Sequence, residues 1–86
     1  MSRMTMLKSL HMHYYAAFRD ATGLREETVQ STAMTAAELY QEIAAHHGLP
    51  FDLSSLRVAL NDQIVPWTSQ VTDGDSVVFL APFAGG

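Results

Sequence analysis

The residues best suited to chemistry in this chain are Ala84, Gly85 and Gly86, which offer a backbone with almost no side-chain bulk. Glycine has no Cβ atom, so such a tail can enter a narrow channel and let an active site close around it. Its one reactive group is the α-carboxylate of Gly86. Attack of that carboxylate on the α-phosphate of ATP would give an acyl adenylate, and a sulfur nucleophile could then displace AMP. This chemistry predicts a C-terminal thiocarboxylate, and the alternative is a merely flexible end.

Pro82 precedes this tail and has no amide hydrogen to donate to a sheet. We therefore expect residues 82–86 to protrude from a folded domain that spans residues 10–81. Phe83 is the one large side chain in the protruding segment. Residues 1–9 contain three methionines and show no periodicity, which predicts a flexible N-terminal extension.

Other residue patterns offer less chemistry. His11 and His13 share one face of a predicted strand, but no third ligand converges on them, so we expect solvated histidines and no metal site. The chain has no cysteine, which excludes a disulfide scaffold, a thiolate zinc site and a cysteine nucleophile. A Gly-rich phosphate loop and a Ser/His/Asp arrangement are also missing, so we expect no autonomous active site.

Composition indicates one small folded domain. The 86 residues are 48% hydrophobic and 16% charged, enough for a core but not for a deep internal cavity. A net charge of −4 with only five Lys and Arg residues predicts no binding to nucleic acid, and it favours basic protein partners. No apolar run is long enough to cross a membrane and no signal peptide is apparent, so we expect a cytoplasmic protein.

The clearest predicted element is a helix from Thr35 to His47. Thr35 and Glu38 have the spacing of a capping box, and Gly48 followed by Pro50 ends the helix. Apolar residues recur every three or four positions along one face: Ala36, Leu39, Tyr40, Ile43 and Ala44. A stripe of this kind must cover a sheet.

Strands are predicted before and after this helix. The candidates are residues 10–15, 25–30, 57–60, 64–67 and 76–81, with a short helical turn at residues 16–23. Residues 25–30 are polar enough for an edge strand or a largely solvated one, and Pro66 restricts its strand to an edge or a bend. One main helix on one mixed sheet is an α+β two-layer roll.

The last strand is apolar on both faces. If Val77 and Phe79 face the helix, Val78 and Leu80 point away from it, and Tyr15 at the end of the first strand joins them. An exposed apolar patch beside a protruding tail is typical of a protein interface. Tyr15, Val78 and Leu80 are therefore the candidate partner interface, unless Phe83 or a loop covers them.

Three segments resemble the small subunit of molybdopterin synthase. Residues 15–23 (YAAFRDATG) look like an F-A-x-x-R-E-x-x-G segment that follows the first strand in that family. Residues 72–75 (TDGD) and 81–86 (APFAGG) look like its D-G-D turn and its P-P-V-A-G-G ending. The departures are Ala81 for the first proline, Phe83 for a smaller residue and Asp20 for glutamate. The resemblance runs from about Leu10 to Gly86.

This resemblance implies a ubiquitin-like β-grasp fold and the role of a sulfur carrier. Gly86 would be adenylated with ATP by a ubiquitin-activating-type adenylyltransferase and sulfurylase, and converted to a thiocarboxylate. Pro82, Phe83, Ala84 and Gly85 would then lie in a channel of the large subunit. There the sulfur would pass to cyclic pyranopterin monophosphate (precursor Z) in molybdenum cofactor biosynthesis. The chain would bind no cofactor and act as the non-catalytic subunit of a heterotetramer.

Other functions remain open within this fold. A related carrier could supply sulfur for thiamine, for cysteine or for tRNA thiolation, although the long helix and residues 18–20 (FRD) favour molybdopterin over thiamine. A ubiquitin-like modifier or an interaction module would instead be joined to target lysines through Gly86. The fold alone does not separate these functions.

Overall fold

The computed structural model describes residues 7–82, which form one five-stranded sheet and two α-helices. In chain order the elements are β1 (Lys8–His13), α1 (Ala16–Thr22), β2 (Glu26–Ser31), α2 (Ala36–His47), β3 (Arg57–Leu60), β4 (Gln63–Val65) and β5 (Ser76–Leu80). The strand order is β2-β1-β5-β3-β4, and only the central pair β1 and β5 is parallel. The predicted α+β roll with a mixed sheet is confirmed, and so are both predicted edge strands.

Helix α2 begins and ends where the sequence predicts. Thr35 Oγ1 accepts a hydrogen bond from the amide of Glu38 at 3.2 Å. Glu38 Oε1 in turn accepts from the amide of Met34 at 2.9 Å, one residue before the cap. Gly48 ends the helix at a φ of 66°, a left-handed conformation that favours glycine. Together these contacts satisfy polar groups that the helix ends would otherwise leave without partners.

The core lies between α2 and one face of the sheet. The strands and α2 contribute ten buried side chains to this core: Leu10, Met12, Val58, Leu60, Val77, Phe79, Ala36, Leu39, Tyr40 and Ile43. Phe79 of β5 contacts the rings of Tyr40 and Phe18, with centroids 5.1 and 5.8 Å apart. These edge and tilted ring contacts hold α1 and α2 against the central strand.

Strand β1 begins at Lys8, two residues earlier than the sequence pattern predicts. Lys8 pairs with Ser31 in the sheet, and its Nζ donates to the carbonyl of Ala33 at 2.9 Å. Ser9 accepts a hydrogen bond from the side chain of Gln30 at 2.8 Å. The assignment of residues 8 and 9 to the N-terminal extension is therefore wrong, because long-range pairing orders them. Residues 1–6 lie outside the described part of the chain.

Strand β4 also starts one residue early, at Gln63. Asn61 and Asp62 have φ values of 51° and 71°, so these two residues complete the hairpin turn alone. The strand then ends before Pro66, and Trp67 leaves the sheet to donate its indole N–H to the carbonyl of Leu56 at 3.3 Å. The strand predicted at residues 64–67, which left residues 61–63 for the turn, is corrected accordingly.

A polar cluster fastens the C-terminal end of α2 to β1 and β2. Glu27 Oε2 accepts a hydrogen bond from the hydroxyl of Tyr14 at 2.5 Å and lies 2.7 Å from Nε2 of His47. Burial alone would raise the pKa of Glu27, but the hydrogen bonds from Tyr14 and His47 outweigh it, so the pKa lies below its usual value. Burial and the Glu27 carboxylate raise the pKa of Tyr14.

We predict that replacing Glu27 changes the acid sensitivity of the fold. Because the folded-state pKa of Glu27 lies below 4.5, its ionised form stabilises the fold above that pH, and this stability is lost as the pH falls through the folded-state value. Glu27→Gln should reduce the free energy of unfolding at neutral pH by about 1–3 kcal/mol and flatten its acid dependence. Urea unfolding at a series of pH values measures both effects.

The control for this prediction is Glu26→Gln on the same strand. The side chain of Glu26 is 74% exposed, so its replacement should change the free energy of unfolding little. Equal acid dependence in Glu27→Gln and in the unmodified chain would contradict a structural role for the cluster.

Candidate functional site

The predicted tail leaves the domain at the end of the central strand. Strand β5 ends at Leu80, and it is followed by half-buried Ala81 and exposed Pro82. Gly86, Gly85, Ala84 and Phe83, which carry the predicted tail chemistry, lie outside the described residues.

Tyr15 lies at the same end of the sheet as Leu80. His13 pairs with Val78 in the parallel register of β1 and β5, and continuing that register by two residues brings Tyr15 level with Leu80. Tyr15 is 58% exposed. The side chain therefore stands beside the point at which the chain leaves the sheet.

The predicted orientation of β5 is confirmed. Val77 and Phe79 are buried against the helices, with 0% and 1% of their surface exposed, whereas Val78 and Leu80 are partly exposed on the opposite face. The structure thus brings Tyr15 and Leu80 together and places Val78 on the same outer face of β5 as Leu80. Within residues 7–82, Tyr15 is exposed and Val78 and Leu80 are partly exposed, so the described residues leave the predicted patch accessible to solvent.

An apolar groove joins Tyr15 to the tail. Its volume is about 250 Å³, and its walls are formed by Tyr15, Ala16, Phe79, Leu80, Ala81 and Pro82. Ala16 has a φ of 47°, a conformation that residues with a Cβ adopt uncommonly. This backbone turns the chain from β1 into α1 directly after Tyr15. The local strain at Ala16 therefore accompanies the placement of the Tyr15 ring at the groove.

The outer face of the sheet extends the patch beyond the residues that the sequence singled out. Strand register places His13, Val78, Ala59 and Ile64 in one row across β1, β5, β3 and β4. Ile64 is 66% exposed, and Arg57 pairs with Leu80 in the neighbouring row. Sequence reasoning missed Ile64 and Arg57. The Asn61-Asp62 turn sets Ile64 opposite Ala59, but the place of both residues on this face follows from the pairing of β3 with β5, which no local signal reveals.

A second cleft lies on the other side of Tyr15. It has a volume of about 340 Å³ and is lined by His13, Tyr14, Tyr15, Arg19, Arg25 and Glu26. Nδ1 of His13 lies 4.0 Å from a carboxylate oxygen of Glu26. Tyr15 thus separates an apolar groove from a polar cleft that contains two arginines.

The histidines of β1 have separate neighbours. Nδ1 of His11 lies 3.2 Å from the hydroxyl of Thr28, whereas His13 faces Glu26. Among residues 7–82, no three His, Asp or Glu side chains come close enough together to hold a metal ion. In the same part of the chain, no helix has both the length and the apolar character needed to cross a membrane.

The chain is similar to known proteins in both sequence and structure. A sequence model of the ThiS family matches residues 12–86. Among solved structures, the putative molybdopterin converting factor subunit 1 of Pyrococcus furiosus is 24% identical, with a TM-score of 0.70 over 84% of this chain and 94% of that chain. SAMP1 of Haloferax volcanii, a small archaeal modifier protein, is 17% identical, with a TM-score of 0.74 over 91% of this chain and 99% of that chain.

A third structure contains a partner chain. It is the complex of subunits 1 and 2 of the molybdopterin-converting factor of Helicobacter pylori, which matches at 22% identity and a TM-score of 0.63 over 91% of this chain and 99% of the matched chain. These three structures confirm the expected β-grasp fold. The sequence match covers most of the chain, including the tail residues 82–86, and this chain therefore belongs to the ThiS family of ubiquitin-like sulfur-carrier proteins.

Proposed function

We propose that this chain is the sulfur-donating subunit of a molybdopterin synthase. The observation that carries the proposal is the family match through residue 86, with a Gly-Gly tail that follows the central strand beside an apolar groove. The segments at residues 15–23 and 81–86 favour this carrier over its relatives. Gly86 is the reacting residue, and Gly85, Ala84, Phe83 and Pro82 occupy the partner's channel.

The proposed reaction begins with activation of Gly86. A carboxylate oxygen attacks the α-phosphate of ATP, pyrophosphate leaves, and the resulting acyl adenylate carries AMP as its leaving group. Sulfur at the sulfide level (HS⁻) attacks the acyl carbon, AMP leaves with the electrons of the C–O bond, and loss of a proton gives the thiocarboxylate. The thiocarboxylate sulfur then attacks a carbon of precursor Z that bears an oxygen substituent, and the C–O bond at that carbon breaks as the oxygen leaves. A water molecule finally cleaves the acyl–sulfur bond, which restores the carboxylate of Gly86 and leaves the sulfur on the pterin. ATP binds to the activating enzyme, and this chain holds no cofactor.

The proposed partners supply what this small domain lacks. The groove of about 250 Å³ is formed by side chains on the surface of residues 7–82, and it is too shallow to enclose a pterin and exclude water around it. A large subunit must therefore close around the tail, and the exposed face at Tyr15, Val78 and Leu80 supports docking beside it. We assign the complex to the cytoplasm, where ATP is available, as a heterotetramer with two large subunits at its centre.

A second candidate function is a ubiquitin-like protein modifier, joined through Gly86 to lysines of target proteins. The likeness to a small archaeal modifier protein is the observation that favours it. Conjugates that require Gly86 would support this function.

Carriers for thiamine, cysteine or tRNA thiolation share the tail chemistry and differ in the acceptor of the sulfur.

The first prediction of the proposed function concerns the mass of the protein purified from its own cells. We expect a fraction heavier by the difference between sulfur and oxygen, because a thiocarboxylate replaces the carboxylate of Gly86. Thiol-specific alkylation should shift this fraction further. Intact-mass spectrometry measures both changes.

The matched control lacks Gly85 and Gly86 and should show no heavier fraction. A chain that stays unmodified after incubation with ATP, the activating enzyme and a sulfur source would contradict the carrier function. Accumulation of isopeptide-linked conjugates in that incubation would instead support the modifier. Product formation after addition of large subunit and precursor Z separates molybdopterin synthesis from the other sulfur pathways.

The second prediction concerns Tyr15. Tyr15→Ala should weaken binding to the large subunit by at least about tenfold, because a large exposed aromatic beside the tail has the character of an interface hot spot. Titration calorimetry measures the dissociation constant. The control is Met34→Ala, which removes a side chain that is 61% exposed at the start of α2. Equal dissociation constants for Tyr15→Ala and Met34→Ala would show that the groove lies outside the interface.

A further inference from the structure

The positive charges of this acidic chain are unevenly distributed. Residues 7–82 contain four lysine and arginine side chains, and each of the three arginines neighbours Tyr15 or Leu80, two residues that line the groove. Arg19 and Arg25 line the cleft beside Tyr15, and Arg57 pairs in register with Leu80. Lys8 lies at the other end of β1 and donates to the carbonyl of Ala33.

The three arginines are available to a partner. All three are exposed, and none forms an ion pair with a carboxylate within residues 7–82. Within the described residues, Arg57 donates to a backbone carbonyl, that of Leu56 at 3.2 Å. The carboxylate in the cleft is Glu26, which lies 4.0 Å from Nδ1 of His13. The cleft therefore holds two arginines against one glutamate in a chain of net charge −4.

The groove beside these arginines is apolar, and this apolar lining limits which class of macromolecule can bind to the surface. A polyanion such as nucleic acid gains little from Leu80 and Pro82, and the net charge of −4 repels it at long range. A protein surface with an apolar centre and acidic side chains around it matches both the groove and the arginines.

We propose that the tail-exit surface, formed by Tyr15, Arg19, Arg25, Arg57 and Leu80, docks on a protein surface whose apolar centre is bordered by Asp and Glu side chains. The inference deepens the proposed function and rests on it, because it assigns the chemistry of the partner that receives the tail. It also reverses, for this surface, the expectation of basic partners drawn from the net charge. The arginines act as specificity residues, because they attract an acidic partner and would be left unpaired against a basic one.

The experiment compares two variants of equal charge. Arg19→Gln with Arg25→Gln lowers the net charge of −4 by two, and so does the control, Thr32→Glu with Gln41→Glu. Thr32 and Gln41 are exposed and do not line the groove or the cleft. At low salt, the arginine variant should associate with the large subunit about tenfold more slowly than the control, and added salt should reduce this difference. Stopped-flow measurements give these rates.

A second arm uses synthetic peptides and does not depend on the pathway. In NMR titrations of the full chain, the peptide Asp-Asp-Phe-Leu-Asp-Asp should shift the amides of Tyr15, Arg19 and Leu80. The neutral analogue Asn-Asn-Phe-Leu-Asn-Asn should shift them less at equal concentration. The arginine variant should lose the response to the acidic peptide, and the control should keep it.

The outcomes separate the two proposals. Equal shifts with both peptides, equal association rates of the two variants, or tighter binding of a single-stranded oligonucleotide at the same amides would overturn the inference. Failure of the unmodified chain to bind the large subunit would overturn the proposed function, and the peptide titration would still decide the inference.

Discussion

The parallel pairing of β1 with β5 is the constraint on which the rest of this structure depends. It joins strands from the two ends of the described chain and makes both of them central in the sheet. β1 ends at His13, which pairs with Val78, and Tyr15, two residues beyond the end of that strand, lines the same groove as Leu80 at the end of β5. The groove, the polar cleft and the exit of the tail all follow from this one register.

Tyr14 and Tyr15, which follow β1, point to opposite sides because side chains alternate in direction along an extended chain. Tyr14 points inward, is 1% exposed and is hydrogen-bonded to Glu27 beneath the end of α2. Tyr15 points outward and stays accessible. The polar cluster that fastens the helix therefore meets the surface proposed for docking at Tyr14, which is hydrogen-bonded to Glu27 and also lines the cleft beside Tyr15.

Features set by local sequence could be predicted, and features set by long-range pairing could not. The capping residues of α2 and the alternation of residues 10–15 depend on near neighbours, and both predictions are confirmed. Lys8 belongs to β1 because it pairs with Ser31 and donates a hydrogen bond to the carbonyl of Ala33. No local sequence pattern near residue 8 reveals these two contacts. Ile64 and Arg57 were missed as members of the outer face for the same reason, since their place follows from the pairing of β3 with β4 and β5. The tail chemistry could be proposed from glycine content and family resemblance alone, and its residues lie outside the described structure.

The position of β5 also makes the groove beside Tyr15 depend on completion of the fold. β1 pairs with β2 across the intervening helix α1, and β3 and β4 form a hairpin, whereas the centre of the sheet closes only when β5 enters between β1 and β3. Contacts between residues so far apart in sequence form late and slowly. The groove beside Tyr15 needs Leu80 for one of its walls, so an unfinished domain has no such groove. An enzyme that binds this surface before it acts on the tail would therefore act on fully folded chains and not on incompletely folded ones.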